Sequence, residues 1–116
     1  YVTTEPLKSS LTAKTLEAWV SVSDLNQRGG GVITIQTPDG VVFDSIVFAE
    51  REPKRWMAGS DGFSRYESFE ASDETDRENL VHLAITYAAD GTITGYRNGV
   101  PYGRSYKKNL PTFPVY

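Results

Sequence analysis

Cysteine is absent from the 116 residues, which excludes a disulfide framework, a thiolate nucleophile and any Cys-based zinc site. Histidine occurs once, at His82, leaving no partner for a two-histidine metal site. Positive charge is scarce as well. Twelve Lys and Arg against 15 Asp and Glu give a formal net charge of -3, the wrong sign for broad attraction to nucleic acid. No apolar run is long enough to cross a bilayer, so no membrane insertion is expected. The first residues, Tyr1 to Leu11, do not read as a basic-then-apolar leader. What is present is ordinary globular composition, 39% hydrophobic and 23% charged. The length suits one domain with one core.

Period-two alternation dominates the chain and helical periodicity is weak. Thr15–Ser21 reads as a strand with Leu16, Ala18 and Val20 on one side and Glu17, Trp19 and Ser21 on the other. A triple glycine, Gly29 to Gly31, precedes the strand Val32–Gln36. Pro38-Asp39-Gly40 has the composition of a tight turn. Val41 to Ala49 is apolar on both faces, as in a sheet covered on both sides, and forms a hairpin with the strand before it. After the charged, proline-containing stretch Glu50 to Lys54, a short strand is expected over Arg55–Gly59. Glu67 to Asn79, rich in acid, reads as a solvated loop with one helical turn. Leu80–Tyr87 alternates most cleanly, with Val81, Leu83, Ile85 and Tyr87 opposite His82, Ala84 and Thr86. Thr92–Arg97 follows, then Asn98-Gly99, a pair that tolerates the positive φ of a type I′ turn, then a returning strand Val100–Tyr106. Lys107, Lys108, Pro111 and Pro114 punctuate the end. Short strands joined by turns predict an all-β sandwich or barrel.

Thr15-Leu16-Glu17-Ala18-Trp19-Val20 resembles the opening strand of concanavalin A-like/laminin G-like domains. Leu80-Val81-His82-Leu83-Ala84-Ile85-Thr86-Tyr87 is similar to a later strand of the same family. Asp90-Gly91-Thr92-Ile93 and Tyr96-Arg97-Asn98-Gly99 then match its hairpin and Y-x-N-G turn. The segment Gly30 to Ser60 resembles a narrower subgroup, the laminin G-like modules of very large extracytoplasmic proteins of planctomycete bacteria. The resemblance spans about Leu11 to Phe113. It implies an antiparallel jelly-roll β-sandwich, residues 1–116 forming one module of a larger secreted or periplasmic protein. Family members continue past the Y-x-N-G hairpin with further strands, one of which closes the sandwich against the N-terminal strand. This chain stops at Tyr116, so either final strands are missing or the version is reduced. An incomplete sandwich would expose a sheet edge for association with another chain.

The resemblance raises glycoside hydrolysis, because glucanases share the fold. They carry acid and nucleophile on one strand in an E-x-D-x-x-E arrangement. Here Glu17 is the one acid within its strand and Asp44 stands alone in the next candidate, so no catalytic residue is assigned. No G-x-S-x-G elbow surrounds a serine, and His82 reads as a strand histidine rather than a base. Asp73, Glu74, Asp76 and Asp61 offer oxygens to calcium, without EF-hand spacing; no cofactor is otherwise implied. The aromatics point to a carbohydrate ligand, since sugar C–H faces lie on aromatic planes while polar side chains take the hydroxyls. Trp56 with Asp61 and Arg65, or Tyr96 with Asn98 and Tyr102, would make such a platform. The competing reading places Trp19, Trp56 and several tyrosines in the core. Arg51, Lys54 and Arg55 form a local basic cluster that suits solvated loop charge or an acidic neighbour. The expected partner is thus a glycan or polysaccharide, or the neighbouring domains of the parent protein, and the expected role is binding rather than catalysis.

Overall fold

The computed structural model of the chain describes residues 2–113; Pro114, expected to punctuate the end, lies outside them. Eight strands follow in order: β1 (Lys14–Val20), β2 (Gly31–Gln36), β3 (Phe43–Phe48), β4 (Trp56–Ser60), β5 (Val81–Tyr87), β6 (Thr92–Arg97), β7 (Val100–Pro101) and β8 (Tyr106–Lys107). A single 3₁₀ turn, Asp61–Phe63, follows β4. The strands form two antiparallel sheets. One has the order β1-β5-β6-β7, with β8 also on β6, and the other is β2-β3-β4.

Alternation sorts the side chains of the larger sheet. Leu16, Leu83, Ile85, Tyr87 and Ile93 point inward and are buried. They meet Ile46, Phe48, Trp56 and Ala58 of the smaller sheet in one core. The opposite face carries Glu17 beside Ala84, Trp19 beside His82 and Thr15 beside Thr86. Next along these rows, Ala84 faces Tyr96 and Thr86 faces Thr94. β3 is buried on both sides, as its two apolar faces predict: Val47 and Met57, paired across β3 and β4, are as buried as Ile46. Its first residues differ from expectation. Val41 is exposed in the turn, where the Asp39 carboxylate accepts from the Val41 N–H at 3.0 Å and the Thr37 hydroxyl at 2.6 Å.

Two other segments depart from the sequence reading. Val100–Tyr106 is no continuous strand. Asn98 and Gly99 take φ of 50° and 79°, as the turn requires, but the returning chain leaves β6 after Tyr102, whose N–H still donates to the Gly95 carbonyl at 2.8 Å. There the Arg104 N–H donates to the Phe69 carbonyl at 2.6 Å. Gly103 permits the detour. Its φ is 71°, and a Cβ would stand 1.9 Å from the Phe69 carbonyl oxygen, so no other residue fits. Glu67 to Asn79, in turn, contains no helical turn and is not simply solvated. Phe69, Ala71 and Glu74 are buried, and the Glu74 and Glu78 amides donate to the carbonyls of Lys54 and Val22. An apolar anchor among the acids draws the segment across the end of the core. After β8 the chain returns to the start of β1, where Leu11 and Phe113 exchange backbone hydrogen bonds of 2.9 and 2.7 Å. This isolated bridge lies three residues ahead of β1.

Candidate functional site

Trp56, Asp61 and Arg65 are not brought together. Trp56 is 3% exposed, tilted against Phe48 with ring centroids 4.7 Å apart, and its indole N–H donates to Glu74 Oε1 at 2.9 Å. No face of that ring is open to a ligand. Asp61 and Arg65 belong to the other end of β4. Arg65 donates to Asp61 Oδ1 at 2.6 Å, to Asp44 Oδ1 at 2.8 Å and to the Phe43 carbonyl at 2.9 Å. Asp44, wholly buried, also meets Lys14 Nζ at 2.9 Å. A buried carboxylate is costly unless cations and hydrogen bonds surround it. Arg65 and Lys14 do so here, tying β1 to β3 inside the sandwich.

Tyr96 and Tyr102 fall on opposite sides of the larger sheet. Tyr102 faces the interior, where its hydroxyl accepts the Trp56 backbone N–H at 3.0 Å and donates to the Ser72 carbonyl at 3.4 Å. Burial pushes its pKa up to about 12. Tyr102 and Asn98 line a cleft of about 430 Å³ between residues 71–75 and the β6–β7 hairpin, together with Asp73, Glu74 and Arg97. Glu74 is the hub of that wall. Its carboxylate takes two Arg97 donors at 2.9 Å each, the Trp56 indole and the amides of Thr75 and Asp76. Burial pushes the Glu74 carboxyl up, but the Arg97 and Trp56 hydrogen bonds outweigh it and hold the group below its ordinary value.

The oxygens offered to calcium are already engaged. Asp73 pairs with Arg55 at 3.1 Å, Glu74 with Arg97, Asp76 with Asn79 at 2.8 Å, and Asp61 with Arg65. Calcium takes six to eight oxygen ligands, and among the described residues no three acidic side chains converge as its ligands would. In the basic cluster, Arg55 is spent on Glu52 and Asp73, whereas Arg51 lies over the Phe63 ring, 4.1 Å from its centroid.

The outer face of the larger sheet holds what sequence reasoning passed over. Trp19, one of the residues a core would claim, is 66% exposed there. Its ring lies 5.1 Å from that of His82, and His82 Nε2 is 3.7 Å from Glu17 Oε2. One pair further along, Ala84 sits between Glu17 and Tyr96, so a methyl group forms a low floor flanked by larger side chains. Beyond it the Thr94 and Ser105 hydroxyls are bonded at 2.8 Å. The signal was in β1 itself, because alternation groups Trp19 with Glu17 rather than with Leu16. Glu17 is the sole acid on the strands of this face, whereas glycosidases set two carboxyl groups about 5–9.5 Å apart across the scissile bond.

Two antiparallel sheets packed face to face around one core define a jelly-roll β-sandwich. The laminin G-like family model of the concanavalin A-like lectin/glucanases superfamily matches residues 1–114, and the chain belongs to that family. No curated protein and no solved structure matches it.

Proposed function

We propose that the chain is a non-catalytic carbohydrate-binding module of a larger secreted or periplasmic protein, with glycan lying across the outer face of the larger sheet. One observation carries this reading: Trp19 stands two-thirds exposed on a regular strand, where packing gives an indole no role. A sugar ring stacked on Trp19 rests its C–H face on the aromatic plane. Tyr96 supplies a second wall across the Ala84 floor, and Glu17, His82 and the threonines of the face take hydroxyls. The carboxylates support a binding role. A general acid needs a raised pKa, yet burial is overcome by hydrogen bonds at Glu52, Asp61 and Glu74, all held below their ordinary values. Recognition is independent of calcium on this reading, since the acids that would hold it pair with Arg55, Arg97, Asn79 and Arg65 instead of converging on one point. The exported parent rests on the likeness of Gly30 to Ser60 to modules of extracytoplasmic proteins.

A second reading, a protein-interaction module, draws on Leu80, 64% exposed and on the His82 side of the sheet by alternation. Binding of the chain to a glycan panel, with calcium and then with chelator, separates the two. The sugar reading expects chelator-insensitive binding that Trp19→Ala abolishes and Tyr96→Ala weakens, in variants with unchanged spectra. Folded wild-type protein that binds nothing on the panel, yet self-associates through Trp19, would replace it with the second.

A further inference from the structure

Three buried side-chain atoms lack a hydrogen-bond partner among the described residues, and they lie together: Lys14 Nζ, Asp44 Oδ2 and the Tyr87 hydroxyl. Lys14 and Asp44 are 3% and 0% exposed, and Nζ stands 2.9 Å from Oδ2, off the axis of a hydrogen bond. The walls around the amine are aromatic, with the Tyr87 and Phe113 ring centroids 4.1 and 5.1 Å from Nζ. Asp44 Oδ1, by contrast, is firmly held by Arg65 at 2.8 Å. The two carboxylate oxygens are thus unlike: one is fixed by a guanidinium, and the other meets nothing but the lysine.

We propose that Lys14 and Asp44 form an intramolecular amide cross-link between the two sheets. The reaction condenses the ion pair. A C–N bond forms between Nζ and Cγ of Asp44, and the Cγ–Oδ2 bond breaks. Oδ2 leaves as water with two of the three ammonium protons, and the third stays on the amide nitrogen. Neither an oxidant nor a co-reactant enters. The amine's contact of 2.9 Å is with Oδ2, the atom bonded to the carbon it must reach, and addition needs an approach to that carbon of about 3–3.5 Å. Arg65 stabilises the negative charge that develops on Oδ1 as the amine adds and afterwards donates to the amide oxygen. Charge stays balanced, because the product removes one cation and one anion and leaves Arg65 paired with Asp61 at 2.6 Å. Removing a desolvated ion pair and releasing water both favour the amide.

The intact mass of the denatured full chain tests the cross-link. The expected mass is below that of the sequence by one water, and digestion yields a branched peptide joining the Lys14 and Asp44 segments. Lys14→Arg, which keeps the charge but forms no such amide, restores the full mass. Loss of water by cyclisation at Asp39-Gly40, Asp61-Gly62 or Asp90-Gly91 gives the same mass change but persists in Lys14→Arg, and that result overturns the proposal. Wild-type protein at its full sequence mass overturns it without recourse to any variant.

Discussion

Trp19 and Trp56 are the chain's two tryptophans, and their surroundings are opposite. Trp56 ends up inside, with both ring faces packed and its N–H satisfied by Glu74. Trp19 projects from the outer face beside His82 and Glu17. Residue type alone assigns both to the core, yet strand parity decides. On β1 the inward positions belong to Leu16, Ala18 and Val20, and turning Trp19 inward would slip the register and drive Glu17 inward with it. One large aromatic holds the fold together while the other stands out on the open face of the sheet.

That contrast predicts a graded series of effects. Trp56→Ala is the most damaging, because it opens a cavity and strands the Glu74 oxygen; a loss of about 3–5 kcal/mol is expected by denaturant unfolding. An effect as small as that at a surface position would place Trp56 outside the core. Glu74→Gln keeps the shape but removes the charge that holds Arg97, costing about 1.5–3 kcal/mol.

The same residue governs acid behaviour. Glu74, Glu52 and Asp61 are held below their ordinary values in the folded chain, where burial pushes each up but hydrogen bonds win. The unfolded chain therefore takes up protons first as pH falls. Stability is full above the ordinary carboxylate range and declines through it. Glu74→Gln should shallow that decline, which a series of melting curves from neutral to acid pH would measure. Trp19→Ala is expected to change stability by no more than about 0.5 kcal/mol while reducing glycan affinity at least about tenfold, or roughly 1.4 kcal/mol. A Trp19→Ala protein as unstable as Trp56→Ala would erase the contrast.

Local signals carried most of the fold. The expected Thr92–Arg97 coincides with β6, the expected Thr15–Ser21 is one residue out of step with β1, and the Asn98-Gly99 turn takes the positive φ its residues allow. Each depends on neighbours a few positions away. The failures depend on partners far along the chain. Nothing near Tyr102 announces that Phe69 will divert the returning strand, and nothing in the acidic run marks Glu74 as the acid that Arg97 and Trp56 will claim. Asp44 likewise meets Lys14 and Arg65 only after the sheets have stacked. For the candidate site, Tyr96 was legible as an aromatic near a turn, and the alternation of β1 already grouped Trp19 with Glu17. Trp56, Asp61, Arg65 and Tyr102 carry the right chemistry for sugar, but their polar groups are engaged within the protein by Glu74, Asp44, each other and the backbone.

The bridge between Leu11 and Phe113 has a mechanical consequence. Chain that enters at one and leaves at the other does so at a single corner, so a pull applied across residues 11 and 113 acts on two adjacent points. Such a load opens hydrogen bonds one after another, like a zip, instead of shearing a whole ladder at once. The sandwich would be a weak link under stretch. The contact between Lys14 and Asp44, three residues inside the bridge, is where that opening would be arrested or allowed to run.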